Sequence, residues 1–320
     1  MIFNNLFVVE KTDRLDYTLI KLLNINRSLS KKLIESNAVK VNNVLQNKPG
    51  KKIFKGDYIE VNLDMISKLS NNKLNYIKPI KIDFDVIFEN DDIIVINKPI
   101  NIPVHPSYKQ NITLINGVVY YLKNINKNYH FVAPVNRLDK LTSGIVIFSK
   151  TYKAHKIISN LFKNRKVKKT YLAVVNGKYL GPNIITSYIY KKPYHFRYDS
   201  TTSALPNTKF AQTNVQNLIY LEKNNLSVLK IYPVTGRTHQ IRVHLSSVGY
   251  PILGDTLYGG IPYKRLMLHS WAVEFEYYID SVNSVYDKNL TKINLQTSVK
   301  EFLSYLDNIQ ISNVINQLSV

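Results

Sequence analysis

One stretch decides the fold of this chain: Val135-Asn136-Arg137-Leu138-Asp139-Lys140-Leu141-Thr142-Ser143-Gly144-Ile145-Val146-Ile147-Phe148. Its first half is polar and places one carboxylate, Asp139, between the basic residues Arg137 and Lys140. A Thr-Ser-Gly turn then leads into four apolar residues, which predict a buried strand. A short loop anchored by such a strand is a common place for a reactive group. Asp139 is therefore a candidate catalytic nucleophile, although a helix-capping or salt-bridging role fits the local pattern equally well.

The composition predicts a folded protein of two domains. The chain has 320 residues, of which 45% are hydrophobic, enough for at least one large core. Because there is no cysteine, disulfides and thiolate metal sites are excluded, and we expect no structural metal. The first ten residues lack the pattern of a signal peptide, and no apolar run approaches membrane-spanning length. We expect no membrane partner and a cytoplasmic location, with an organelle of bacterial descent as the alternative.

The net charge of +21 is concentrated in one part of the chain. Residues 150–200 hold 12 basic side chains and 1 acidic side chain, directly after the Asp139 stretch. This distribution indicates a face that binds a polyanion such as RNA, although a generally basic composition is the alternative reading. No Gly-x-Ser-x-Gly elbow is present, which argues against a serine hydrolase.

The N-terminal region predicts two short helices and a hairpin. Apolar residues at helical spacing follow Arg14, and a second helix is predicted to begin at Ser28 or Ser30 as its N-cap. Val39 and Val41 then alternate with polar residues before a turn at Asn42-Asn43.

This order of elements, with Arg14-Leu15-Asp16, Ser30-Lys31-Lys32-Leu33-Ile34, Val39-Lys40-Val41-Asn42 and Gly56-Asp57, resembles the S4 RNA-binding module over about residues 12–62. In that family the second helix and the following turn present basic side chains to RNA. The resemblance assigns this role to Arg27, Lys31, Lys32 and Lys40. The alternative is that these lysines only solvate a small packing domain.

The rest of the chain predicts alternating strands and helices. We expect a hairpin over residues 86–96, a helix over 112–122 and a helix capped by Thr151. Strands are expected at 170–175, 226–232 and 266–271, and Thr238 is predicted to cap a helix that carries Arg242. The pattern alone leaves Tyr171 open as a half-buried core residue, and Arg242 open as a phosphate contact or a structural ion pair. His239 and His244 do not share a helix face, so a metal pair is not expected.

Four stretches, in this order, resemble the RluA-type pseudouridine synthases over about residues 84–276: Asn97-Lys98-Pro99 with Val104-His105-Pro106; Arg137-Leu138-Asp139-Lys140-Leu141-Thr142-Ser143-Gly144; Lys169-Thr170-Tyr171-Leu172-Ala173; and Gly236-Arg237-Thr238-His239-Gln240-Ile241-Arg242-Val243-His244-Leu245 with Gly249-Tyr250-Pro251-Ile252-Leu253-Gly254-Asp255. An S4 module ahead of this domain is typical of the branch that modifies large ribosomal RNA. The resemblance implies an isomerase that flips a uridine, breaks its N1–C1′ bond and joins C5 to C1′, without a nucleotide cofactor or metal.

Carried over position by position, the resemblance makes Asp139 the catalytic aspartate, Tyr171 the ring against the uracil and Arg242 the basic partner of Asp139. We expect Lys168, Lys169 and Arg237, which stand within or beside these motifs, to contact RNA. The partner is expected to be RNA of the 23S type or its precursor particle, bound by a monomer. A synthase acting on tRNA, and an inactive RNA-binding or ribosome-assembly factor, are the alternatives.

Three positions depart from the family pattern and put loop geometry and substrate choice in question. Asn136 stands where the family often has His, Leu141 where it often has an acidic or small polar residue, and Ile100-Asn101 where it usually has a glycine.

The fold class expected is α+β. A small S4-like α/β RNA-binding domain (12–62) and a linker (63–82) precede a pseudouridine synthase catalytic domain (83–278), built on a mixed, mainly antiparallel sheet flanked by helices. A peripheral tail (279–320) with one amphipathic helix over 298–306 is expected to complete the chain.

Overall fold

The structure, a computed structural model, describes residues 5–23, 25–62, 65–66, 69, 77–106, 112–125, 131–192, 197–280, 288–304, 306 and 308–318. The chain divides into two compact units, Met1–Lys78 and Pro79–Val320. The division falls inside the segment 63–82 where we expected a linker, most of which lies outside the described residues up to position 76.

The first unit contains two helices and short antiparallel strands. Its elements are β1 (Asn5–Val8), β2 (Asp13–Arg14), α1 (Leu15–Leu23), α2 (Arg27–Glu35), β3 (Val39–Val41), β4 (Val44–Leu45), β5 (Lys52–Ile53) and β6 (Tyr58–Val61). Four strands form a sheet in the order β1-β6-β3-β4, and β2 pairs with β5. Strand β1 lies before the predicted start of the domain at residue 12, so the fold of this unit includes residues that the sequence reading left out.

The two helices bury the residues that the helical spacing indicated. Leu15 and Leu19 of α1 and Leu33 of α2 are fully buried in the core of this unit. The predicted N-cap of α2 is wrong, because Asn26, and not Ser28 or Ser30, accepts a hydrogen bond from Leu29 N at 2.9 Å. The side chain of Ser30 is buried instead and donates to Asp16 O at 2.8 Å, which ties α2 to α1.

The second unit alternates strands and helices along the chain. Its elements are β7 (Asp85–Glu89), β8 (Ile93–Lys98), α3 (Leu114–Ile125), β9 (Ala133–Pro134), β10 (Ser143–Ser149), α4 (Tyr152–Lys163), β11 (Lys168–Asn176), β12 (Ile184–Lys191), β13 (Tyr198–Thr201), β14 (Lys209–Leu221), β15 (Leu226–Pro233), α5 (Gln240–Ser247), β16 (Leu268–Asp280), β17 (Lys288–Gln296), α6 (Lys300–Leu303) and α7 (Asn308–Leu318).

One sheet organises this unit, in the order β13-β12-β14-β15-β11-β16-β10-β8-β7, with β17 paired to β16 and β9 to β10. Strands β10 and β16 run parallel, and the other pairings of this sheet within the described residues are antiparallel. The expected mixed, mainly antiparallel sheet with helices is therefore confirmed. Thr151 caps α4 as predicted, since its side chain accepts from Ala154 N at 3.1 Å.

The predicted peripheral tail is wrong. Strand β17 pairs with β16 from Ala272↔Gln296 to Asp280↔Lys288, so the sheet continues past residue 278. The predicted helix over 298–306 is shortened to α6, followed by α7. Phe302, Leu303 and Val314 are at most 1% exposed and belong to the main core, because their apolar side chains cover the sheet.

No helix in the part of the chain that the structure describes is long and apolar enough to cross a membrane.

Candidate active site

The candidate site is a cavity of about 300 Å³ where neighbouring strands of the large sheet end. The loop before β10, the start of β11 and the loop after β15 all line it. Strands β15, β11, β16 and β10 are adjacent in the sheet, so residues distant in sequence converge here. The cavity wall includes Asp139, Lys169, Tyr171, Arg237, His239 and Arg242.

The loop that carries Asp139 is fixed to the strand that follows it. The side chain of Asn136 accepts from Ile147 N at 2.8 Å and donates to Ile145 O at 3.2 Å, which ties the start of the loop to β10. Thr142 N donates to Asp139 O at 3.1 Å and closes the turn. Asn136, a departure from the family pattern, therefore acts as a local structural clamp in this chain.

Gly144 allows this loop to enter the sheet. Its φ is 110°, and a Cβ at this position would lie 2.2 Å from Ser270 O on β16. A side chain would therefore push apart the parallel pair β10 and β16, on which the position of the Asp139 loop depends.

Lys98 holds the Asp139 loop from the protein interior. In the sequence analysis this lysine was given no role. Its side chain is fully buried, and Nζ donates to Pro99 O at 2.8 Å, Ile102 O at 2.9 Å and Lys140 O at 3.1 Å. Burial lowers the pKa of Lys98 to about 7, against the opposing effect of the Asp139 charge. Lys98 thus joins the end of β8 to the residue next to Asp139.

The other two departures from the family pattern have local structural consequences. Asn101 has a φ of 66°, so asparagine supplies here the left-handed conformation for which glycine is common. Leu141 is 40% exposed and does not line the cavity.

Arg242 lies in the first turn of α5. The N-cap predicted for this helix, Thr238, is wrong. The helix begins at Gln240, and the residue before it is His239, whose φ is 56°. The side chain of Gln240 organises the turn, because its Oε1 accepts from Thr235 Oγ1 at 2.6 Å and from Arg237 N at 3.0 Å. Thr238 therefore does not cap α5.

The guanidinium of Arg242 is held between two carboxylates. Nε and Nη2 donate to Asp255 at 2.7 Å each, and Nη1 lies 3.5 Å from Oδ2 of Asp139. Burial acts to lower the pKa of Arg242, but the hydrogen bonds to Asp255 and the charges of Asp255 and Asp139 together outweigh it and raise the pKa above its ordinary value. In the sequence analysis Asp255 was quoted as part of a motif and was given no role. Its two hydrogen bonds orient the guanidinium of Arg242 toward Asp139.

Tyr171 lies at an irregularity in β11. The pairing with β16 shifts register between Thr170 and Tyr171, and such bulges re-aim side chains. The ring is partly exposed and lines the cavity with Asp139. Burial raises the pKa of Tyr171 to about 12, against a hydrogen bond with Ser270, so the hydroxyl stays protonated at neutral pH.

The expected RNA contacts of the second unit fall into two groups. Lys169 and Arg237 line the cavity, where Arg237 Nε donates to Phe210 O at 2.9 Å. Burial and the charge of Arg165 lower the pKa of Lys169. Lys168 does not line the cavity, and its exposed side chain pairs with Glu274 at 2.9 Å.

In the first unit, Arg27, Lys31 and Lys32 are exposed on α2, whereas Lys40 on β3 is half-buried. Arg27 lies over the ring of Tyr17 at 5.1 Å and 3.7 Å from Asp16, so its guanidinium is partly engaged within the unit.

His239 is a site residue that sequence reasoning missed. Its Nε2 lies 3.7 Å from Oδ2 of Asp139, and its Nδ1 is hydrogen-bonded to the hydroxyl of Tyr258 at 2.8 Å. In the sequence analysis, His239 was considered only together with His244, as a metal pair that was not expected. Among the residues that the structure describes, no group of three or more His, Cys, Asp and Glu side chains forms a metal site.

Comparison with known proteins identifies the family. Residues 92–247 match the RNA pseudouridylate synthase family. Ribosomal large subunit pseudouridine synthase D of Buchnera aphidicola is 34% identical over 252 residues, which are 78% of this chain and 76% of that protein. The protein of the same name from Borreliella burgdorferi is 32% identical over 282 residues, covering 85% and 81% of the two chains.

Solved structures share the fold. Human RNA pseudouridylate synthase domain containing 4 superposes with a TM-score of 0.53 at 19% identity, covering 80% of this chain and 98% of that one. Human RNA pseudouridylate synthase domain containing 1 gives a TM-score of 0.51 at 22% identity, covering 69% and 94%. Because curated relatives match at more than 30% identity over most of their length, this chain belongs to the RNA pseudouridylate synthase family, whose members isomerise uridine to pseudouridine in RNA.

Proposed function

We propose that this chain converts uridine to pseudouridine in large-subunit ribosomal RNA and that Asp139 is its catalytic nucleophile. The observation that carries the proposal is the approach of Asp139 and Arg242 to 3.5 Å inside a cavity that also exposes the ring of Tyr171. Curated relatives named for the ribosomal large subunit support this RNA as the substrate. Such a substrate would place the protein in the compartment of its ribosomes, the bacterial cytoplasm or an organelle of bacterial descent.

The recessed position of Asp139 requires the uridine to leave its RNA stack. Extruding a nucleotide costs a few kcal/mol, because stacking and pairing are lost. The ring of Tyr171 in the cavity wall offers a new stacking partner, worth about 1–3 kcal/mol per base. Stacking on Tyr171 therefore offsets much of the cost of flipping.

The ionised form of Asp139 is required for attack, and Arg242 stabilises it. At about 4 Å and an effective dielectric constant of about 20, the gross attraction between two unit charges is roughly 4 kcal/mol. Asp255 holds the guanidinium in place before substrate binds, so little reorganisation is needed when charge develops.

The reaction is balanced by the substrate itself. The N1–C1′ bond breaks, the uracil turns, C5 bonds to C1′, and the proton lost from C5 is matched by one gained at N1. The attack of Asp139 on C1′, its attack on C6 and the promotion of elimination all give this overall isomerisation.

Phosphate contacts would supply most of the sequence-independent affinity. Lys153, Lys156, Lys163, Arg165 and Lys166 are exposed on α4 and just after it, while Phe162 and Lys169 of the same segment line the cavity. The basic face therefore adjoins the site. In the first unit, Arg27, Lys31, Lys32 and Lys40 are the proposed contacts of an S4-like RNA-binding module.

Pseudouridine mapping tests the proposed substrate. Total RNA would be compared between cells that contain the protein, cells that lack it and cells complemented with Asp139→Ala. We expect a large-subunit site that is lost without the protein and is not restored by the variant. Loss of a tRNA site instead would overturn the ribosomal assignment, and unchanged modification of all RNA would overturn the synthase activity.

A further inference from the structure

His239 occupies a backbone conformation that a β-carbon disfavours. Its φ of 56° lies in the left-handed region, which residues other than glycine adopt infrequently, although histidine does so more often than most. The ring is fixed on two sides, since Tyr198 packs at 5.5 Å and Tyr258 at 5.7 Å between centroids, both nearly edge-on. Strain at this position is therefore offset by contacts that hold the imidazole against the Asp139 loop.

The hydroxyl of Tyr258 contacts one of the two ring nitrogens of His239. Tyr198 N donates to the Tyr258 oxygen at 3.0 Å, so this oxygen already accepts one hydrogen bond. The hydroxyl oxygen lies 2.8 Å from Nδ1 of His239, so it is placed to donate its own proton to Nδ1. Burial raises the pKa of Tyr258, so this proton is present at neutral pH. With Nδ1 as acceptor, a neutral His239 carries its hydrogen on Nε2.

Nε2 faces the carboxylate of Asp139. It lies 3.7 Å from Oδ2, the same oxygen that Arg242 Nη1 approaches to 3.5 Å. Both distances exceed ordinary hydrogen bonds, as is common for catalytic contacts before substrate binds. The contacts of His239 and Arg242 with the Asp139 carboxylate both fall on Oδ2 and not on Oδ1.

We propose that His239 is a further positioning residue, whose neutral imidazole donates Nε2–H to Oδ2 of Asp139 and, with Arg242, leaves Oδ1 as the attacking oxygen. This inference rests on the proposed function, because it assigns a role in the reaction of Asp139. The order of hydrogen bonds is Tyr198 N to Tyr258, Tyr258 to His239, and His239 to Asp139.

The surroundings of His239 favour its neutral form. Burial lowers its pKa; the charges of Asp139 and Asp255 oppose this effect, while those of Arg242 and Arg137 add to it. Arg197, stacked on Tyr258 at 5.3 Å, is a further cation on this side. A neutral donor stabilises the ionised Asp139 without placing another positive charge beside Arg242.

Two variants of similar size separate hydrogen bonding from packing. His239→Gln keeps an N–H group within the reach of Nε2, whereas His239→Met has the same length without a donor. Both carry the same backbone strain at a φ near 56°. Loss of a hydrogen bond to a charged group predicts a rate lower by about 10- to 100-fold for His239→Met, while His239→Gln retains most of the rate.

Tyr258→Phe provides a second measurement that a purely structural role would not change. In the His239 background it removes the group that fixes the tautomer, so the rate should fall. In the His239→Gln background the rate should change little, because a glutamine amide needs no tautomer. The unpaired Tyr198 N–H that Tyr258→Phe leaves is common to both backgrounds.

The experiment measures the single-turnover rate on an unmodified transcript of the large-subunit ribosomal RNA, at saturating protein, together with RNA affinity and thermal midpoint. The expected result is a lower rate with unchanged affinity for His239→Met, and a smaller effect of Tyr258→Phe in the His239→Gln background. Equal rates for His239→Met and wild type, or equal effects of Tyr258→Phe in both backgrounds, would overturn the role of His239. A wild-type protein that forms no pseudouridine on any cellular RNA would instead overturn the proposed function and, with it, this inference.

Discussion

Arg242 donates to both carboxylate oxygens of Asp255 at 2.7 Å and leaves Nη1 3.5 Å from Asp139. The side chains of Arg242 and Asp255 are 4% and 1% exposed, whereas that of Asp139 is 24% exposed. The buried pair of Arg242 and Asp255 is therefore structural. The contact between Arg242 and Asp139 is available to substrate. This arrangement lets one carboxylate, Asp255, position the buried arginine beside a second carboxylate, Asp139.

Removing the carboxylate of Asp255 should lower both the stability and the reaction rate. Asp255→Asn leaves the buried guanidinium without its counter-charge, which typically costs about 3–5 kcal/mol in unfolding free energy. The rate should also fall, because Arg242 loses the contact that aims it at Asp139. Urea unfolding and the single-turnover rate measure the two effects.

Glu274→Gln is the matched control for Asp255→Asn. It breaks the exposed pair of Glu274 with Lys168, whose side chains are 50% and 77% exposed, and such pairs contribute about 0–1 kcal/mol. Equal losses of stability in the two variants would contradict the structural role of Asp255.

The ring of Tyr171 should matter more than its hydroxyl. Tyr171→Phe keeps the stacking surface and loses the hydrogen bond with Ser270, so the rate should stay near that of wild type. Tyr171→Leu loses base stacking, worth about 1–3 kcal/mol. The comparison is made on the same RNA by affinity and single-turnover rate, and a phenylalanine variant as impaired as the leucine variant would refute the stacking role.

The cations of α2 should contribute to RNA affinity and not to the chemical step. Replacing Arg27, Lys31 and Lys32 with glutamine should weaken binding. The slope of log affinity against log salt should fall by about one for each lost phosphate contact. The rate at saturating RNA should not change. Lys300→Gln, an exposed position on α6, is the control, and a salt slope that the triple variant leaves unchanged would argue against an RNA-binding first unit.

Buried neutral histidines should make the fold sensitive to acid. Burial lowers the pKa of His244 to about 4, whereas its unfolded value is about 6.5. Between these values the unfolded chain binds more protons, so stability falls as pH decreases through this window. His269, with a pKa lowered by burial to about 3, acts in the same direction.

The variant His244→Gln tests this dependence. His244 hydrogen-bonds Ser187 at 2.9 Å and Thr213 at 2.8 Å, so wild type should be the more stable at pH near 7. The advantage in unfolding free energy should shrink as pH falls from about 6.5 to about 4. An advantage that stays constant over this range would exclude His244 as a source of the acid sensitivity.

Local patterns were enough to predict the strands and helices around the site. The polar-then-apolar pattern after Val135 predicted a loop and a buried strand, and both are present as the Asp139 loop and β10. Asp139, Tyr171 and Arg242 lie in one cavity because their motifs stand at the ends of adjacent strands. Their spacing in the sequence alone did not predict that these three residues meet. The family resemblance did.

Features that depend on tertiary contacts escaped the sequence reading. Lys98, quoted above only as part of a motif, is fully buried among three carbonyls. His239 precedes α5 in a left-handed conformation that no local pattern indicated. The acidic, Asn-rich composition after residue 278 suggested a surface tail. The alternation that places Ile293 in the core is visible only once β17 pairs with β16.

The central claim is that the carboxylate of Asp139 performs the chemistry. Asp139→Asn preserves the shape of the side chain and removes the charge, and Asp91→Asn is the control at an exposed turn. The direct measurement is pseudouridine formed in a single turnover on the large-subunit transcript, with RNA affinity determined in parallel. The account predicts no pseudouridine and nearly unchanged affinity for Asp139→Asn, with normal product from Asp91→Asn. Pseudouridine formed by Asp139→Asn at the wild-type rate would contradict it.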